Sequence, residues 1–360
     1  MRSNRKKNKK SDEKKTSITK KSERGKKGSK GKISGRSERK KSSASSGDPS
    51  QKPKKTPVTP AKDPWTAEET AKKLVASGVF NETAIVNEFK TVASPKPSAA
   101  DSGVFLTNLA KNRAKEWPIP NEKLFKFTAP PNNYVSAARL TFSEGKRIIV
   151  AQLPDPSIAG QAEDFWRMIF QEECLSVVLC STASELANLQ PLFPTGPNTF
   201  ANIGKMFVQT KKVDKDTSPI HSYQLELLPD GCSNSINTYL YHMANWSKKK
   251  SPDNYGPLVT TLDKMLKTNA SMCFVSHSGV GRCGVMAVVM SAMVQMEKEQ
   301  KDPKIKEIVE KVRGERSGLV EGSEQYVAIY KALVQWIKVK ASDAETLKKI
   351  EKIGELVPKA

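Results

Sequence analysis

The sequence predicts a mixed α/β (α+β) domain, a central twisted sheet flanked by helices, preceded by a disordered basic tail. Three observations predict it. Apolar runs of strand length alternate with helical patterns through the middle of the chain, helices bunch towards its C-terminal end, and residues 1–62 carry almost no large apolar side chains. Charge divides the chain in the same place. Of the net +22, residues 1–60 contribute +17 from 22 Lys/Arg and five acids, and the other 300 residues only +5. The basicity belongs to the tail, and the remainder is an ordinary globular composition.

The tail is Lys, Ser, Gly and Pro, which cannot bury enough apolar surface to offset the entropy of ordering. Residues 51–64 read as an extended Pro-bearing linker. Non-specific contact with a polyanion or an anionic membrane surface through residues 1–62, or nuclear import, are the tail's candidate roles. It has no aromatic side chain to stack on bases, which argues against sequence-specific nucleic-acid reading. No apolar run reaches the ~18 residues of a membrane span, and the N-terminus has no apolar signal segment. Five cysteines, Cys174, Cys180, Cys232, Cys273 and Cys283, lack metal-ligand spacing. No metal and no cofactor are expected, and the expected location is intracellular, cytoplasmic or nuclear.

From Trp65 the pattern changes. Thr66 suits a helix N-cap and Glu69 completes a capping box. A second helical run covers about 80–91, and 94–102 is a Pro/Ala/Ser break. Strand patterns follow at 134–142, 147–152 and 175–180, with a helical pattern at 163–172 between the last two. Residues 235–246 are strand-like, 258–266 helical, and 272–275 form a short buried strand. A Gly-rich turn then opens a long apolar helix to about 298, and further helices cover about 303–314, 323–341 and 342–354. The domain is expected over 63–345, with a helical tail at 346–360.

The chemistry concentrates in residues 272–287, MCFVSHSGVGRCGVMA. A strand running into Gly279 and Gly281 and then a helix makes an anion cradle. Successive amides of Ser276, His277, Ser278, Gly279, Val280, Gly281 and Arg282 can point into one concavity, and the helix start adds positive potential. Arg282 is placed to fold back and fork onto two phosphate oxygens.

This segment resembles the signature loop of protein tyrosine phosphatases, HC(x)5R(S/T)G. In that register Ser276 stands where the family has its nucleophilic Cys, and Cys283 where it has Ser or Thr. Six more segments resemble the same family in order: KNRAKE at 111–116, NNYVSAA at 132–138, AQLPDP at 151–156, DFWRMI at 164–169, YHMANW at 241–246 and RSGLVEGSEQY at 316–326. A single domain with a basic tail is similar to the non-receptor, nematode branch of the family. The resemblance implies a tyrosine-phosphatase-like domain that hydrolyses phosphotyrosine with a thiolate nucleophile, an Asp acid and a water-placing Gln.

Each of those groups is altered here. Ser276 would stay protonated where a thiol ionises, and it would need a general base; His277 is the nearest candidate, read as an exposed or supporting residue. The acid position is Lys248 when counted from Trp246. It is Asp253 when counted from Pro257, at the cost of a five-residue insertion. Glu321 replaces the water-placing Gln, while Gln325 is retained. Ala114 removes the aromatic wall that stacks on the substrate ring, and Glu116 replaces an Asp that accepts from peptide backbone. The expectation is a catalytically inactive phosphatase-like protein, a pseudophosphatase, that binds phosphorylated protein or peptide partners, phosphotyrosine foremost, or scaffolds signalling. The alternatives are a low-activity protein tyrosine phosphatase and a scaffold with an empty pocket and a polyanion-binding tail.

Overall fold

The computed structural model describes residues 65–77, 81–142, 147–214, 220–299 and 302–356. The tail expected at 1–62 lies outside the described residues.

Eight strands form one sheet: β1 (Ala137–Thr141), β2 (Arg147–Gln152), β3 (Cys174–Cys180), β4 (Thr199–Ile203), β5 (Met206–Asp214), β6 (Ile220–Pro229), β7 (Ile236–Met243) and β8 (Ser271–Ser276). Their order is β1-β2-β8-β3-β7-β6-β5-β4. The middle four, β2, β8, β3 and β7, are parallel, and antiparallel strands extend the sheet on both sides. The mixed sheet matches the expected fold class. The β4–β6 meander occupies a stretch to which the sequence reading assigned no element.

The parallel strands read as near-continuous apolar runs because both their faces are covered. Along β8, Met272 and Phe274 enter one core, and Cys273 and Val275 enter the other. On the first face lie α5 (Tyr255–Leu266), α6 (Gly281–Glu297), α7 (Ile305–Glu315) and α8 (Ser323–Lys340). Helix α6 is apolar all round, as a central helix must be, and 14 of its 17 residues are buried. On the second face α4 (Gln161–Gln171) inserts Phe165, Trp166, Met168 and Ile169.

The N-terminal helices α1 (Ala67–Ser77) and α2 (Glu82–Lys90) pack on this frame, followed by the short α3 (Gly103–Thr107). Thr66 Oγ1 accepts from Glu69 N–H at 3.2 Å, the first half of a capping box. Trp65 stacks on Trp336 at 5.0 Å. Helix α9 (Ala344–Leu356) begins before the boundary expected at 345/346, and Ile350 is buried in the main core, so the helix is continuous with the domain. No helix among the described residues is long and apolar enough to cross a membrane.

Register sets where chemistry gathers. Gln152 pairs with Ser276, Ser276 with Cys180, and Cys180 with Met243, so the parallel strands all end at one level. The loops that follow them, at 153–156, 181–186, 244–254 and 277–280, therefore meet in one crevice, the usual place for a ligand at the carboxyl ends of a parallel sheet. Close packing of α6 holds the floor of that crevice. A Cβ on Gly284 would lie 2.4 Å from Val320 N.

Gly284→Ala is accordingly expected to lose roughly 1–3 kcal/mol by overpacking. A Cβ on Gly314, in α7, meets nothing within 4 Å, and Gly314→Ala should gain roughly 0.4–1 kcal/mol. Urea midpoints of the two variants, moving in opposite directions from the parent, check the pair.

Candidate functional site

Ser276 ends β8 and is 1 % exposed. Its carbonyl accepts from Leu153 N–H at 2.8 Å and from Gly279 N–H at 3.1 Å. The chain then turns through Gly279 at φ +66°, where a Cβ would meet Gln152 N at 2.6 Å and Ala151 C at 2.7 Å. Only glycine satisfies both the dihedral and the space. Beyond it α6 begins. The amides of His277, Ser278, Val280, Gly281 and Arg282 have no protein acceptor among the described residues. Five unpaired donors at the start of a 17-residue helix form a concavity suited to an oxyanion.

Ser276 Oγ lies 3.2 Å from Cys283 Sγ, and that sulfur lies 3.1 Å from the Phe274 carbonyl. Among the described residues no histidine or carboxylate hydrogen-bonds the hydroxyl. Burial pushes the Cys283 thiol up to about 11 and holds Cys273 well above its ordinary value. Both are protonated at neutral pH. A thiol nearest to Ser276 therefore offers it no base.

His277 is half-buried. Its Nδ1 is buried without a hydrogen-bond partner, 3.9 Å from Glu185 Oε1. Burial, then the charge of Arg113, lowers its pKa, which favours the neutral ring. Its carbonyl accepts from Arg113 Nη1 at 3.2 Å. Gln152 joins the 111–116 loop to this wall: its Oε1 accepts from Arg113 N–H at 2.6 Å and its Nε2 donates to the Lys111 carbonyl at 2.9 Å. Ala114 is buried in that loop and Glu116 is exposed.

The Arg282 fork, expected on a ligand, is held by protein groups in this structure. Arg282 is 2 % exposed. Nη2 binds Glu185 Oε1 at 2.6 Å, while Nη1 binds Glu185 Oε2 at 2.9 Å and the Trp246 carbonyl at 2.5 Å. Burial alone would raise the Glu185 carboxyl, but the Arg282 bonds and a Thr182 amide outweigh it and hold the carboxyl below its ordinary value. The physical reason is that a buried guanidinium needs a buried counter-charge. Glu185 was missed by sequence reasoning. The one available signal was the Thr182-x-x-Glu185 spacing, and the Thr182 amide does donate to Glu185 Oε2 at 3.0 Å.

The opposite wall is the turn before α8. Val320 adopts φ +63°, strained for a β-branched residue, and Arg313 holds its carbonyl at 2.6 Å. Next to it, Glu321 Oε2 and Gln325 Nε2 crowd the cradle, 2.4 and 2.6 Å from where a Cβ on Gly281 would be. Gln325 Oε1 accepts from Glu321 N–H at 2.9 Å, and its Nε2 is buried without a partner. An orphaned amide donor facing the cradle is a vacancy for an acceptor.

The two alignments of the acid loop also separate. Lys248 is exposed in the loop after Trp246, and its charge acts on both His277 and Glu321. Asp253 is exposed and lines a different cavity, with Ile220, Met243 and Trp246. Among the described residues no group of His, Cys, Asp and Glu is placed to hold a metal ion.

Comparison with known proteins agrees with this geometry. A profile described as protein-tyrosine phosphatase matches residues 108–335. A Caenorhabditis elegans protein named "Putative tyrosine-protein phosphatase" is 37% identical over 288 residues, covering 80% of this chain and 72% of that protein. "Tyrosine-protein phosphatase non-receptor type 2" of Rattus norvegicus is 22% identical over 262 residues, 70% of this chain and 62% of that protein. A "Receptor-type tyrosine-protein phosphatase" of Caenorhabditis elegans is 25% identical over 234 residues; the chain spans only 16% of its length.

Glu321 gives this site a pH signature. Burial raises its carboxyl above the ordinary 4.5; Lys248, Lys249 and Arg282 oppose the rise and Glu116 adds to it. A carboxyl raised on folding binds its proton more tightly in the native state. Its contribution is present below the ordinary value and is lost as pH rises through the raised one. Glu321→Gln should therefore increase the melting temperature more at pH 7 than at pH 4. An equal or smaller gain at pH 7 contradicts the assignment.

Proposed function

The chain belongs to the protein-tyrosine phosphatase family, and from that premise we propose that it is a catalytically inactive member that binds phosphorylated protein partners. The observation that carries this reading is the pairing at the base of the cradle. The oxyanion-binding frame is intact, yet Ser276 faces the protonated Cys283 thiol, 3.2 Å away, and no base.

Hydrolysis of a phosphate ester in such a cradle needs a nucleophile that is already ionised. Backbone dipoles that favour a thiolate cannot ionise a hydroxyl, whose pKa is far higher. In the family an Asp protonates the leaving group, and here Asp253 lines a separate cavity with Ile220, Met243 and Trp246. Placing a hydrolytic water needs a neutral hydrogen-bonding group, and Glu321 brings a carboxyl instead. Each loss of acid–base assistance costs about 10²–10⁴-fold, and they compound with loss of the nucleophile.

Binding makes fewer demands. A phosphate monoester dianion can take the free amides of His277, Ser278, Val280, Gly281 and Arg282 and the orphaned Gln325 Nε2, with the Arg282–Glu185 pair behind them. Glu185 neutralises Arg282 in the free protein, so the pair braces the cradle wall, tied to the Trp246 carbonyl. With Ala114 in place of an aromatic wall, selection for a phenyl ring weakens and shorter phosphoresidues gain entry.

Calorimetry of the full chain with phosphotyrosyl, phosphoseryl and phosphothreonyl peptides tests this. We expect each to bind more tightly than its unphosphorylated form, with phosphotyrosine favoured by less than tenfold. Arg282→Ala should lose roughly 10–100-fold, because it leaves the Glu185 carboxylate unpaired beside the cradle. Equal binding of phosphorylated and plain peptides would remove the proposal.

A further inference from the structure

Between Trp246 and Pro252 the chain crosses the mouth of the crevice, and it is pinned at both ends. At the near end the Trp246 carbonyl accepts from Arg282 Nη1 at 2.5 Å. The indole Nε1 of Trp246, itself 1 % exposed, donates to the Lys250 carbonyl at 2.6 Å, and Lys250 N–H returns to the Ser247 carbonyl at 3.3 Å. At the far end Glu324, in the first turn of α8, holds three groups. Its Oε1 accepts from Ser251 N–H at 3.0 Å and Ser251 Oγ at 3.3 Å, and its Oε2 pairs with Lys250 Nζ at 3.2 Å. Burial would raise Glu324, and these partners outweigh it and lower it, so the carboxylate is ionised at neutral pH.

The residues between the pins are Lys248 and Lys249. Lys249 takes φ +61°, a dihedral that a residue with a Cβ keeps only where its surroundings impose it. Neither ammonium has a carboxylate within ion-pair distance among the described residues, whereas Lys250 is taken up by Glu324. The span runs from Arg282 to the helix that carries Gln325 and follows Glu321, so the backbone of Lys248 and Lys249 is held between two walls of the cradle. Both lysines act on Glu321, and Lys248 also on His277. A loop tied by an indole, an amide, a hydroxyl and an ion pair is anchored at both ends. Its backbone is held, and only side-chain freedom is lost when the two ammonium groups meet a ligand.

We propose that Lys248 and Lys249 form a fixed cationic rim that binds the outer oxygens of a phosphate monoester, and that Glu324 is the positioning residue that holds the rim in place. The inference rests on the phosphate-binding reading above and names what selects the ligand there. The rim offsets Glu321 in the free protein. It also favours a doubly charged phosphate over a carboxylate or a singly charged diester, because two cations meet the excess charge at a mouth that already carries one carboxyl. The anchored loop thereby becomes binding surface.

The test is titration of the full chain with inorganic phosphate at several salt concentrations. The double variant Lys248→Gln/Lys249→Gln should bind roughly tenfold more weakly and with a visibly shallower dependence on ionic strength. Glu324→Gln should weaken binding and flatten the salt dependence in the same way, and Glu324→Asp should recover part of both. A merely structural role for Glu324 would move the melting temperature and leave the salt slope alone. If Glu324→Gln does not fold, the lysine pair decides. Binding abolished by Arg282→Ala but indifferent to the lysine pair sinks the rim and leaves the phosphate-binding reading standing. No binding by the parent chain sinks both.

Discussion

One constraint organises this protein: four parallel strands end at the same level, with Gln152, Ser276, Cys180 and Met243 in register. Each strand then hands its loop to the same crevice. One loop brings the cradle, one brings Glu185 to Arg282, one brings Trp246 and the lysines, and the loop after β2 accompanies Gln152 and Arg113. The geometry of the site thus follows from sheet register before any side chain is considered. The close approaches at Gly279 and Gly284 then fix how deep the cradle lies. Packing and the candidate site share the same residues here, since a side chain at either glycine would displace the backbone that forms the cradle.

What the crevice can do chemically follows from charge and protonation. Arg282 is buried and paired with Glu185, so it braces the wall and presents no free fork. Cys283 and Ser276 form a protonated pair below the cradle. Glu321 and the orphaned Gln325 amide sit opposite, with Lys248 and Lys249 in the anchored loop. We propose that such a pocket stabilises bound phosphate and lacks the proton transfers that hydrolysis needs. Membership of the protein-tyrosine phosphatase family accounts for the frame, and the residues at positions 276, 283 and 321 account for the chemistry we propose it has lost.

Much of this was legible in the sequence. The parallel core strands announce themselves because burial on both faces leaves uninterrupted apolar runs, as in Leu175 to Cys180. The cradle announces itself because two glycines and an arginine in a strand–helix turn have few other uses. The β4–β6 meander was not legible. One of its faces is solvated, so its strands mix Lys211, Lys212 and Asp214 into the pattern, and a bulge between Thr210 and Lys212 breaks the alternation. Glu185 was not legible either, because the charge that Arg282 needs comes from a loop 97 positions earlier in the chain, and spacing carries no such information. Spacing also left Lys248 and Asp253 as equal claimants for one position, since an insertion can be placed on either side of a lysine run. Three-dimensional anchoring by Trp246 and Glu324 separates them.

The central claim is that this pocket holds a phosphate ester without breaking it. The most direct measurement incubates the purified full chain with an equimolar phosphotyrosyl peptide labelled on phosphorus, and follows bound peptide and free phosphate in the same sample. The account predicts label retained on intact, bound peptide, with phosphate release no faster than in a Ser276→Ala sample. Steady release of inorganic phosphate that disappears in Ser276→Ala would contradict it.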